Sequence, residues 1–143
     1  MMAWLVKQIN KKNKGFTLIE MVVVLAIIAV LIAIAVPQVL KQINKAKINA
    51  DKANAKSIAT AIQQYVGDGN TVTQTTWNQV DTEPWVNTYL TGGVPAVRYN
   101  NSWHFYYMTD SVGDTVYVGA GPSDTSVYQI YPYPDNNANN PYK

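Results

Sequence analysis

From residue 16 to residue 36 the chain carries one charged side chain, Glu20, and every residue from Met21 to Val36 is apolar. Twenty-one residues at about 1.5 Å each make a helix about 31 Å long, enough to cross the hydrocarbon core of a bilayer. A helix apolar on all sides predicts a membrane anchor or a buried bundle, not the surface helix of a small domain. Lys7, Lys11, Lys12 and Lys14 precede it without an acid, which favours a cytoplasmic N-terminus. Lys41, Lys45, Lys47, Lys52 and Lys56 follow it, opposed only by Asp51, so the charge rule alone leaves the orientation open. Ala33-Ile34-Ala35 has the A-x-A form of a secretory cleavage site, and a plain single-pass anchor is a further reading. Glu20 and the long polar head argue against a secretory signal. A carboxylate inside a span is costly unless it is paired or hydrated, so Glu20 is either an interfacial residue reaching for headgroups or a charge awaiting a partner.

The junction itself narrows the choice. Lys14-Gly15-Phe16-Thr17-Leu18-Ile19-Glu20 resembles the class III leader junction of type IV prepilins and pseudopilins, with a basic leader, Gly before the cut, Phe after it and Glu at the fifth position beyond. Pro37 matches a helix-kinking proline of the same family, and the resemblance covers about residues 7–37. It implies that residues 1–15 are a leader removed after Gly15 by prepilin peptidase. It implies that Phe16 becomes the new N-terminus and is N-methylated, and that Glu20 pairs with the Phe16 amine of a neighbouring subunit to set the axial register. Missing a side chain, Gly15 lets a protease approach the backbone. Pro37, which lacks an N–H and crowds the preceding turn, is a site for a kink.

Residues 38–66 contain no Gly or Pro and many alanines, so the helix is expected to continue to about residue 66. Ile58, Ile62, Tyr65 and Val66 form one apolar stripe, and Val39, Ile43, Ala46 and Ala50 an earlier one. Lys41, Lys45, Lys52 and Lys56 share a face, which reads as a solvated face or as a contact with acidic groups of a neighbouring subunit, with DNA or with anionic surfaces; without interleaved aromatics it is no stacking platform for single strands. Gly67-Asp68-Gly69-Asn70 is the stop signal. Residues 67–93 read as a long loop with a short helix over 83–90, pinned by Trp77 and Trp85. Residues 94–99 and 103–108 read as a hairpin about Asn100-Asn101-Ser102, with further strands at 115–118 and 127–131 separated by Gly119-Ala120-Gly121-Pro122. The Pro/Asn-rich segment 132–143 reads as a partly disordered surface tail. The expected fold is α+β: a long N-terminal helix, membrane-spanning in its first half and amphipathic in its second, against an antiparallel sheet of three to four strands, as in pilins.

The rest of the composition excludes more than it offers. There is no cysteine, hence no disulfide, thiolate metal site or thiol nucleophile. His104 is the single histidine, sits in an expected strand without a visible partner, and makes a catalytic triad or histidine metal cluster improbable. Asp110, Asp114 and Asp124 fall in turns; they are weak calcium candidates whose spacing matches no EF-hand. Asp81 and Glu83 form no recognisable acid/base site. The charge of +2 counts the four leader lysines, and from Phe16 onward seven basic residues face nine acidic ones.

The resemblance therefore implies a structural subunit of a type IV pilus filament, with no enzymatic activity and no cofactor. Its partners are further copies and other pilins, the peptidase/methyltransferase, and an inner-membrane platform with a separate motor ATPase. Nucleic acid is not an expected partner. Such a subunit resides in the bacterial cytoplasmic membrane before assembly and in an extracellular pilus afterwards. A pseudopilin of a secretion or DNA-uptake machine, in a periplasmic or cell-wall pseudopilus, shares the junction. A membrane-anchored binding module using its aromatic sheet is a third reading.

Overall fold

The structure is a computed structural model describing residues 15–143. The leader lysines and most of the expected leader lie outside the described residues. Helix α1 runs Leu18–Gly67, a short strand β1 covers Asn78–Gln79, and a 3-10 turn follows at Val80–Thr82. Helix α2 is Val86–Tyr89, and strands β2 (His104–Thr109), β3 (Val116–Ser123) and β4 (Ser126–Tyr131) complete the fold. The chain divides into two compact units, one ending at Lys41 and the other spanning Gln42–Lys143.

In the first unit every described residue is exposed, including Leu18, Ile19, Leu25, Val30 and Leu31. Among the described residues α1 is the one helix long and apolar enough to cross a membrane. Pro37 lies inside α1 without ending it. Its missing N–H leaves the carbonyl of Ala33 without the usual helical donor.

In the second unit the C-terminal part of α1 lies on an antiparallel sheet of order β1-β2-β3-β4. The fold is α+β, as the sequence predicts. Ala55, Ile58, Ala59, Ala61 and Ile62 of the helix pack with Phe105, Tyr107, Val116, Val118, Ala120 and Ile130 of the sheet. The alanines let the sheet approach closely, and Tyr107, Tyr142 and Phe105 are the largest fully buried side chains. The stripe through Ile58 and Ile62 is buried, with Tyr65 and Val66 packed against the core. The earlier stripe is not: Val39, Ile43 and Ala46 stay exposed, and burial begins only near Ile48. Gly69, at φ 92°, closes the helix end.

Four readings from sequence need correction. Residues 94–99 form no strand, because Asp51 takes the N–H groups of Arg98 and Tyr99 that a ladder would use. The partners of β2 are instead β3 and the unforeseen β1. Gly119 to Pro122 are not a turn but belong to β3. The short helix begins at Val86 rather than near Pro84, and of the two pinning tryptophans Trp85 is buried while Trp77 is half-buried. Residues 132–143 are not a loose tail, since Tyr142 is fully buried and Asn140 nearly so.

Burial, aided by a hydrogen bond to the Glu83 carboxylate, pushes the Tyr107 phenol well above its ordinary value. Burial, aided by the charge of Asp51, does the same for Tyr142. A phenol with a raised folded pKa stabilises the fold fully below its unfolded value near 10, and that contribution is lost as pH rises beyond it. Alkaline titration followed by tyrosinate absorbance and circular dichroism should therefore show the last phenols ionising together with unfolding. Complete ionisation of all tyrosines with the dichroism unchanged would contradict this burial.

Candidate functional site

Gly15, Phe16 and Thr17 precede the helix in non-helical conformation, and all three are exposed. Among the described residues nothing lies within 4 Å of a Cβ built on Gly15, so the Gly15–Phe16 peptide has free space beside it. Thr17 and Glu20 then close on each other. The Thr17 N–H donates to Glu20 Oε2 at 2.7 Å, the Thr17 hydroxyl donates to the same oxygen at 2.8 Å, and the Glu20 N–H donates to Thr17 Oγ1 at 3.3 Å. This is a capping box, in which the third residue of the helix reaches back to the cap. Its signature, Thr-x-x-Glu before an apolar run, was present in the sequence and went unread there. Glu20 thus has a local task, orienting the first turn of α1. Among the described residues its second oxygen, Oε1, has no partner. Shallow hollows lie beside it, one lined by Gly15, Phe16, Thr17 and Glu20, the other by Phe16, Ile19, Glu20, Val23 and Val24.

The remaining candidates do not gather. Asp110 and Asp114 share the turn between β2 and β3, where the Asp114 N–H donates to Asp110 Oδ1 at 2.8 Å. Hydrogen bonds from the turn backbone, Thr115 first, hold the Asp110 carboxyl below its usual range. Asp124 lies beyond the other end of β3, an eight-residue strand and thus about 26 Å away along the chain. Among the described residues no three carboxylate or histidine side chains come together as a metal site. His104, expected without a partner, has one: its Nδ1 lies 3.3 Å from Asp81 Oδ2, both side chains being well exposed.

The site that sequence reasoning missed entirely is Asp51. Its side chain is fully buried on α1 and accepts the N–H groups of Arg98 at 2.6 Å and Tyr99 at 2.9 Å, and the Tyr142 hydroxyl at 3.1 Å. It clasps the loop before β2 and the C-terminal segment to the helix.

Comparison with known proteins bears on the junction. The profile of the prokaryotic N-terminal methylation motif matches residues 10–36, which include Gly15, Phe16 and Glu20. The chain is 35% identical over 85 residues to the type IV narrow pilus major component PilA5 of Thermus thermophilus, covering 73% of that protein. It belongs to the type IV pilin family. This pilin is also 40% identical over 63 residues to the type IV major pilin PilA of Myxococcus xanthus, and 41% identical over 56 residues to the type II secretion system core protein G of Pseudomonas aeruginosa. It spans 29% and 39% of the lengths of those two relatives, and the aligned parts make up 44% and 39% of the pilin itself. No solved structure gives a significant match.

Proposed function

We propose that this pilin is a structural subunit of a type IV pilus, cut after Gly15, N-methylated at Phe16 and polymerised through its N-terminal helix. The observation that carries the reading is the exposed apolar surface of α1 from Met21 to Val36, which nothing among the described residues covers. Lipid can cover it before assembly, and copies of the same helix can cover it in a filament. The chain then sits in the cytoplasmic membrane as a single span with its N-terminus inside, and afterwards in an extracellular filament. Prepilin peptidase with its methyltransferase activity supplies the new end, and an assembly platform with a separate motor ATPase supplies the work. The role is structural, not enzymatic.

Glu20 acts twice in this reading. Through Oε2 it caps its own helix, and through Oε1 it receives the Phe16 amine of a neighbour, an amine that methylation leaves cationic. Inside a bundle of low dielectric, an unpaired charge is strongly disfavoured, so one stagger of the copies is selected. Pro37 provides a place where the helix bends as copies pack. The likeness to a type II secretion core protein favours one second reading, a subunit of a secretion pseudopilus.

Shearing cells and analysing the released filaments by mass spectrometry tests the proposal. The expected product begins at methylated Phe16. Glu20→Ala should lower recovered filament by roughly tenfold or more. Glu20→Gln separates the two tasks, because Gln can complete the capping box but carries no charge. If Glu20→Gln assembles as well as the parent, the charge pairing is wrong and the cap alone matters. A mature end at Val36 would replace the whole reading with ordinary secretion.

A further inference from the structure

Charge is segregated along this chain. Between residues 42 and 60 the helix carries Lys45, Lys47, Lys52 and Lys56, and its one acid, Asp51, is buried and spent on the clasp. At 100° per residue Lys45, Lys52 and Lys56 fall within about 40° of one another, on a side of α1 turned away from the buried Ile58 and Ile62. Among the described residues none of these lysines makes an ion pair, and the only ion-pair geometry is that of His104 with Asp81. Beyond Gly67 the balance reverses, with seven acids against Arg98 and Lys143.

The acids include a built recess. A groove of about 380 Å³ lies between the segment around β1 and the β3–β4 turn, with Trp77, Gln79, Thr82, Tyr106 and Asp124 on its walls. Asp124 is exposed and, among the described residues, accepts no hydrogen bond. Asp81, on the neighbouring 3-10 turn, is not on its walls; it accepts a hydrogen bond from Gln79 Nε2 at 3.0 Å and lies 3.3 Å from His104 Nδ1. Burial, and then the negative charges of Asp124 and Asp81, push up the Tyr106 phenol. Aromatic walls beside a carboxylate that accepts no other hydrogen bond make a receptor for an ammonium group.

We propose that, in the filament, the lysine face of one copy, Lys45, Lys52 and Lys56, seats against the Asp124 groove of a neighbouring copy. The inference rests on the polymeric reading above and adds a second, polar contact to the apolar one. Complementary potentials of this kind select register and exclude wrong partners. The occupant is a second copy because this chain carries both signs on separate surfaces, and among the described residues neither these lysines nor Asp124 makes an ion pair.

The absence of cysteine makes the contact directly testable. Full-length chains carrying Asp124→Cys with Lys45→Cys, Lys52→Cys or Lys56→Cys are expressed in the native host, and sheared filaments are oxidised and run without reductant. At least one pair should give a ladder of covalent multimers. The same lysine positions paired with Val112→Cys, at an exposed turn beyond the opposite end of β3, should give none. Ladders with neither partner, or equally with both, would overturn the interface while leaving filament formation itself intact. Asp124→Lys should lower filament recovery roughly tenfold, and Lys52→Glu with Lys56→Glu should restore it. If the unmodified chain forms no filament at all, the polymeric reading fails first and this contact falls with it.

Discussion

Replacing Asp51 by alanine is expected to unfold much of the second unit at temperatures the parent chain tolerates. The substitution strands three donors at once: the N–H groups of Arg98 and Tyr99 and the hydroxyl of Tyr142. Tyr142 is fully buried, out of reach of solvent that could replace the carboxylate. Each buried donor left unsatisfied costs about 1–3 kcal/mol, so three together take a large share of the ~5–15 kcal/mol that holds a domain folded. For a domain of about 100 residues the melting temperature should fall by roughly 15 °C or more. Thermal melts of the detergent-solubilised full chain, followed by near-ultraviolet dichroism of its tyrosines and tryptophans, measure this. Asp51→Asn should fall between, because an amide oxygen can accept one N–H while its NH2 faces another donor. Tyr142→Phe removes a single hydrogen bond and should cost about 1.5–3 kcal/mol. A melt of Asp51→Ala within a few degrees of the parent would show that the clasp does not hold the domain. In the absence of any disulfide, this carboxylate is the main polar tie between the helix and the C-terminal segment.

The helical part of this architecture was legible because its signals are local. An apolar run, a dearth of Gly and Pro, and a Gly-rich stop define α1 within one or two residues of where it lies. Gly15, Phe16 and Glu20 were legible for the same reason, all falling in one short string. The clasp was not, since Asp51 meets partners 47, 48 and 91 positions away in sequence. On the helix alone it reads as a lone acid among lysines. That missed contact explains two further errors. It consumes the backbone donors that would have made 94–99 a strand, and it anchors Tyr142, which turns an apparent tail into part of the core. The capping box is a different case, for Thr17 and Glu20 are three residues apart and their pattern was readable. Attention to Glu20 as a charge for a neighbour obscured its service to its own helix.

Gly121→Ala should be nearly as damaging as the loss of Asp51, for an unrelated reason. Glycine in a Gly-Ala-Gly-Pro string invites reading as a turn, but Gly121 is buried within β3. A Cβ there would collide with the carbonyl oxygen of Ser126 and would lie 2.9 Å from both the carbonyl carbon of Ser126 and the Cα of Val127. All three are backbone atoms of β4, so no rotamer change relieves the clash. Here glycine permits close approach of two strands where their register shifts, between Ala120 and Ser123. Overpacking of this kind costs about 3 kcal/mol, which corresponds to a fall of roughly 15 °C in the melting temperature. Gly67→Ala is the control, because an added Cβ at the helix end meets nothing within 4 Å. If Gly121→Ala melts with Gly67→Ala, the strands do not approach as described. The damage should also spread from β4 to the clasp. The Gln129 carbonyl receives Asn140 Nδ2 at 2.9 Å, and Asn140 Oδ1 receives the Tyr142 N–H at 2.9 Å. Displacing β4 therefore loosens the residue whose hydroxyl reaches Asp51. Gly121→Ala combined with Tyr142→Phe should accordingly cost less than the two changes summed, since each removes part of what the other depends on.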